Sequence, residues 1–183
     1  MESSVIHIQD ELIHRCRQGD RSAFQQVYKQ YSRSMYNVGY RIVNDRDEAH
    51  DVLQDAFISA FRNLESYRGD ATFGAWLKRI VVNKAINYVK RKRMESIPEH
   101  EDWDVGMDED SNELESFPFT VERVRKAIDE LPDGYRMVLS LYLIEGYDHS
   151  EIAEIMGITE STSKSQFNRS KKKLKELLEG GKI

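Results

Sequence analysis

Three groups of residues carry types and spacings that can do chemistry. Between residues 160 and 172, Ser161, Lys164, Ser165, Asn168, Arg169 and Lys172 mix short hydrogen-bonding groups with cations. Side chains of this kind can enter a major groove and meet base edges and phosphates. The competing reading is an ordinary polar helix face. A second group surrounds Phe73 and Trp76: Lys78, Arg79, Lys84, Lys90, Arg91, Lys92 and Arg93, with Asn83 and Asn87 one helical turn apart. Together with Tyr67, Trp76 and Tyr88 they form the mixture that holds a phosphate backbone and stacks exposed bases. Trp76 taken alone also suits a core position. The third group is acidic: Asp47, Asp51 and Asp55 recur at steps of four, with Glu48 and Gln54 beside them. Like charges at that spacing repel by a few tenths of a kcal/mol each. A basic protein partner accounts for them; so does simple crowding of acids at a helix N-terminus.

Covalent chemistry has no comparable support. The five histidines (His7, His14, His50, His100, His149) are scattered. No Gly-rich phosphate loop, nucleophile elbow or paired metal spacing occurs. His7, His14 and Cys16 make at most part of a metal site, so no enzymatic activity, cofactor or metal is expected. The single cysteine excludes a disulfide framework and fits a reducing compartment. No apolar run approaches the ~20 residues of a membrane span, and the polar start lacks a signal-peptide core. The expected address is the cytoplasm.

The net charge of −5 conceals a sorting along the chain. Residues 95–117 hold ten acids and no Lys or Arg, and without them 27 bases face 22 acids. Residues 71–93 hold seven bases and no acid, and residues 164–175 hold six bases and no acid. Basic blocks are the electrostatic footprint of a polyanion binder, or else two solvated helix faces. The acidic stretch contains Pro98 and has little apolar periodicity, which predicts a flexible linker at 95–117 between domains at 1–94 and 118–183.

Positioning these groups falls to helices, because nearly all of the periodicity is helical. The first domain reads as four: 9–18, then 21–43, then a helix opened by Asn44-Asp45 and striped by Ala49, Val52, Leu53, Ala56, Phe57, Ala60, Phe61 and Leu64, then about 72–93. Gly39 inside the second helix costs about 1 kcal/mol relative to Ala, so burial must hold that turn. The second domain also reads as four helices. Asp148 or Ser150 can cap a short helix bearing Ile152, Ala153 and Met156; Gly157-Ile158-Thr159 turns the chain; a basic helix of about 160–178 follows. Short helix, Gly turn, cap and basic helix form a helix-turn-helix signature. Phe167, Leu174, Leu177 and Leu178 are the expected buried side of that last helix. The fold class is therefore all-α, in two small domains.

The residues also carry a family resemblance. Residues 9–93 resemble the region-2 domain of bacterial RNA polymerase sigma factors of the extracytoplasmic-function (group 4, sigma-70 family) type. The run Asp47-Glu48-Ala49-His50-Asp51-Val52-Leu53-Gln54-Asp55-Ala56-Phe57 is similar to that family's polymerase-binding helix. The run Tyr67-Arg68-Gly69-Asp70-Ala71-Thr72-Phe73-Gly74-Ala75-Trp76-Leu77-Lys78-Arg79-Ile80 is similar to its promoter-melting loop and helix. Residues 118–178 resemble region 4, through Leu131-Pro132-Asp133-Gly134-Tyr135-Arg136, Glu151-Ile152-Ala153-Glu154-Ile155-Met156-Gly157-Ile158 and Ser161-Thr162-Ser163-Lys164-Ser165. The chain leaves no room for the extra domains of housekeeping sigma factors.

The resemblance implies roles. Asp47, Glu48, Asp51, Gln54 and Asp55 would bind core RNA polymerase. Tyr67, Arg68, Trp76, Lys78, Arg79, Asn83, Lys84 and Asn87 would engage the −10 element, the 66–72 loop capturing an unstacked base. Ser161, Thr162, Lys164, Ser165, Gln166, Asn168, Arg169 and Lys172 would read the −35 element. It further implies an anti-sigma factor, often membrane-bound in this family, and no small-molecule substrate. Two positions depart from the family pattern: Ser163, where a branched apolar residue is usual, should loosen the motif's core, and Gln166, where Arg is usual, removes a phosphate-binding charge. The alternative function is a self-sufficient helix-turn-helix regulator.

Overall fold

A computed structural model describes residues 11–95 and 119–180, and every regular element among them is helical. The chain divides into two compact units, Met1–Val89 and Lys90–Ile183. The expected flexible linker, apart from its first residue Glu95, lies outside the described residues.

In the first unit, α1 covers residues 11–17, and Gly19 turns the chain at φ +82°. Asp20 caps α2 (Arg21–Val43), its carboxylate accepting from the Ser22 and Ala23 amides at 2.8 and 3.3 Å. Arg15 donates to the same carboxylate at 2.6 and 2.9 Å and holds its pKa below the usual range. Val27, Met35, Val38 and Ile42 of α2 are buried. Only Asn44 and Asp45 separate α2 from α3 (Arg46–Arg62). Asn44 closes α2 in the left-handed region at φ 58°, and Asp45 opens α3 by accepting from the Asp47 and Glu48 amides at 2.9 and 3.0 Å. The short corner lays α3 against α2, burying Ala49, Val52, Leu53, Ala56, Phe57 and Ala60. Gly39 is buried in α2, where a Cβ would meet Val52 Cγ1 at 3.6 Å and Val81 Cγ1 at 3.8 Å. A 3-10 turn, Leu64–Ser66, leads through a loop to α4 (Phe73–Glu95).

In the second unit, Thr120 caps α5 (Val121–Asp129), and α6 covers Asp133–Leu143. Arg136, 3 % exposed, clamps the turn between them by donating to the Leu131 carbonyl at 2.9 Å and to Asp133 Oδ1. Helix α7 (His149–Met156) starts at a full capping box, in which Asp148 accepts from the Glu151 amide and Glu151 from the Asp148 amide. Gly157 ends it at φ +67°, a conformation that costs a residue with a Cβ about 1–2 kcal/mol. Thr159 then caps α8 (Glu160–Glu179).

The buried side of α8 differs from the expected one. Ser163, Gln166, Ser170 and Leu178 are buried, while Phe167, Leu174 and Leu177 are half-buried. Phe167 is instead drawn to the edge of the core by two rings, Tyr142 at 4.6 Å and His149 at 5.6 Å. The Ser170 hydroxyl is satisfied inside, donating to the Phe167 carbonyl at 2.7 Å.

Candidate polymerase and nucleic-acid interfaces

The first candidate face lies on α3. Asp47, Asp51, Gln54 and Asp55 are exposed and Glu48 is half-buried. Residues 51, 54, 55 and 58 share one side of a helix. Ile58, 48 % exposed, therefore extends the acidic group by an apolar turn that the charge pattern did not single out. Behind this side, Tyr28 and Phe57 pack at 4.8 Å, Phe57 and Phe61 at 5.7 Å, and Phe24 and Phe61 at 4.7 Å.

The second candidate site joins the loop after the 3-10 turn to the start of α4. Tyr67 is half-buried and fastened at both ends: its amide donates to the Leu64 carbonyl at 3.2 Å and its hydroxyl to the Ala71 carbonyl at 2.9 Å. Its carbonyl accepts from Arg17 of α1 at 2.6 Å. The ring stands edge-on to Phe73 at 5.5 Å and tilted against Trp76 at 5.4 Å. Tyr31 closes the cluster from α2, 5.5 Å from Phe73, and burial, then Tyr67, push its phenol up. Trp76 is thus neither core nor free. It is half-buried, with one part in the cluster. Arg68 at the loop tip and Arg79, Asn83 and Asn87 on α4 are exposed. At about 100° per residue, Trp76, Asn83 and Asn87 fall within about 40° of arc, with Arg79 and Lys84 flanking them. Lys78 falls about 160° away from Trp76 and is half-buried, so the structure does not bring it to that line. Arg17 and Tyr31 escaped sequence reasoning because they reach the loop from 50 and 36 residues away.

The third candidate face is on α8. Lys164, Asn168, Ser161, Lys172, Ser165 and Arg169 span an arc of about 140°. Ser161, Lys164 and Lys172 are exposed; Ser165, Asn168 and Arg169 are half-buried. Lys164 pairs with Glu160 at 2.7 Å, an exposed ion pair of about 0–1 kcal/mol that a phosphate can readily replace. Two expected members fall outside the arc. Thr162 is tied to the cap, its amide and hydroxyl 3.0 and 2.8 Å from Thr159 Oγ1. Gln166 is 6 % exposed, in the buried stripe with Ser163 and Ser170, so it presents no free edge to a duplex. His149 was also missed, and no pattern in the sequence marks it. It begins α7 and contacts Ser163 across the turn.

Among the described residues, no group of three or more His, Cys, Asp or Glu side chains is placed to hold a metal, and no helix is long and apolar enough to cross a membrane. His14 pairs with Gln18 at 3.0 Å, Cys16 is buried, and His7 lies outside the described residues.

Comparison with known proteins defines the class. Residues 27–95 match the model for sigma-70 region 2, and residues 121–174 match that for sigma-70 region 4. The ECF RNA polymerase sigma-E factor of Haemophilus influenzae is 34% identical over 178 residues, covering 92% of this chain and 94% of that protein. The RNA polymerase sigma-H factor of Pseudomonas aeruginosa is 31% identical, covering 92% and 93%. In fold, the chain is similar to the sigma factor RpoE solved with the anti-sigma factor NepR from Bartonella quintana, with a TM-score of 0.57, 21% identity, and 87% and 98% of the two chains covered. The chain belongs to the extracytoplasmic-function sigma factors of the sigma-70 family. Its function is that of an RNA polymerase sigma factor in promoter recognition, and the reading as a self-sufficient regulator is disfavoured.

Proposed function

We propose that α3 docks on core RNA polymerase through Asp47, Glu48, Asp51, Gln54 and Asp55, with Ile58 as the apolar end of the contact. The loop 66–72 and the Trp76, Asn83, Asn87 line of α4 take an unstacked base of the −10 element, with Arg68, Arg79 and Lys84 on the phosphates. Lys164, Ser165, Asn168, Arg169, Ser161 and Lys172 of α8 read the −35 element as duplex. The domains divide at 1–94 and 118–183. The carrying observation is the coexistence of an exposed acidic face, a fastened aromatic loop and a capped basic helix in the order that the two sigma regions require. The protein works in the cytoplasm as a non-catalytic subunit, without cofactor, metal or small-molecule substrate. It is restrained by an anti-sigma factor, a reading supported by the relative bound to NepR.

In vitro transcription with core polymerase on genomic DNA tests this. Start sites that appear only with this chain, with footprints at −10 and −35 only when polymerase is present, are expected. A sequence-specific footprint of the free chain would overturn the assignment in favour of a self-sufficient regulator.

A further inference from the structure

Ser163 is fully buried in α8, and its hydroxyl shares a hydrogen bond of 2.9 Å with His149 Nδ1. The same imidazole stacks on Tyr142 of α6, with ring centroids 4.5 Å apart and planes 17° apart. It meets Phe167 of α8 edge-on at 5.6 Å. One side chain at the start of α7 therefore touches both α6 and α8. The serine hydroxyl is not left unpaired in the core, because the imidazole takes up its polar atom. The substitution has a geometric consequence. An apolar contact is non-directional, whereas a hydrogen bond fixes a distance and an angle. Ser163 directly precedes Lys164, and the outward arc of α8 turns with it.

We propose that His149, acting through Ser163, is a positioning residue that sets the rotation of α8 and hence which of its side chains meet a duplex. The inference rests on the reading of α8 as the −35 reader. His149 itself touches no DNA in this scheme; it holds the reader in register.

The test uses holoenzyme assembled from the full chain and core polymerase. It measures the ratio of affinities for a promoter fragment with its −35 element intact and with that element scrambled. Thermal unfolding of each variant is followed in parallel, and binding to the scrambled fragment reports that holoenzyme has assembled. His149→Phe keeps a stacking ring and removes the hydrogen bond; Ser163→Ala removes it from the other side. Each is expected to lower the ratio by about three- to tenfold, the span of one neutral hydrogen bond. The double variant should be no worse than the poorer single one. His149→Asn, which keeps a polar atom near the place of Nδ1, should recover part of the ratio. A retained ratio in His149→Phe, losses that multiply in the double variant, or no recovery with His149→Asn would overturn the proposal. A ratio of one for the unmodified holoenzyme would instead remove the −35 reading of α8 itself.

Discussion

Asp51 and Asp55 stand exposed on α3, away from the Ala49, Val52, Ala56 stripe that holds the helix in place. Their reversal to Lys should leave folding within about 0.5 kcal/mol. Like charges brought together at an interface cost several kcal/mol, so core polymerase should no longer co-purify with the Asp51→Lys, Asp55→Lys chain. Unchanged co-purification would mean that α3 is not the docking face. His149 gives a second expectation. Burial foremost, then Lys164, hold its imidazole below the ordinary histidine value, while Glu160 and Asp148 pull weakly upward. The unfolded chain thus takes up the proton first. The neutral ring's contribution is complete above about pH 6.5 and is lost as pH falls from there toward the lower folded value. The thermal midpoint of the second unit should fall across that window, and His149→Phe should flatten the fall. A parallel pH response in both chains would assign it to other groups. The acidic and basic side chains were legible in the sequence because charge and helical spacing are enough to find them. The Arg17–Tyr67 and His149–Ser163 contacts were not, since only tertiary packing brings residues 50 and 14 positions apart together.

At the scale of elements, Gly39 is the informative position. It is helical, buried, and faces Val52 of α3 and Val81 of α4. A Cβ there would meet neighbours at 3.6, 3.8 and 3.9 Å, which is ordinary van der Waals contact. Gly39→Ala should therefore stabilise the first unit by about 0.5–1 kcal/mol, because alanine loses less backbone entropy on folding. Chemical denaturation should show a higher midpoint at unchanged slope. A lower midpoint would show that the contact between α2, Val52 and Val81 does not accommodate the added methyl group. Helix limits were well marked in the sequence by Asp45, Asp148, Gly157 and Thr159, each with a cap or a left-handed turn to make. The inner face of α8 was not. Hydrophobicity pointed to Phe167 and Leu174, whereas the fully buried positions of α8 include the smaller Ser163 and Ser170.

For the whole molecule the sorting of charge matters more than its sum. Two basic blocks flank ten acids at residues 95–117. All but Glu95, the last residue of α4, lie outside the described residues, but their charge and tether length are facts of the sequence. A tether of this length would present its charge to both neighbours at roughly millimolar effective concentration. The acids should then compete with DNA for the basic faces of the free chain. Replacing all ten with Asn and Gln should tighten binding of the free protein to promoter DNA at low salt, with a steeper loss as salt rises. An affinity unchanged from that of the native chain at both low and moderate salt would mean that the acids do not compete with DNA.

Cys16 is 2 % exposed in α1, one residue before the arginine that holds the Tyr67 carbonyl. Burial foremost, then Asp20, push its thiol up, so the nucleophilic thiolate is scarce as well as hidden. It is also the chain's single cysteine. An alkylating reagent therefore has one target, and reaches it only when α1 lifts away. The alkylation rate becomes a clock for how often the support beneath the Tyr67 loop lets go. Arg17→Ala should make that clock run several times faster with little change in global unfolding. An unaltered rate would show that the Ile13 and Cys16 side chains anchor α1 unaided.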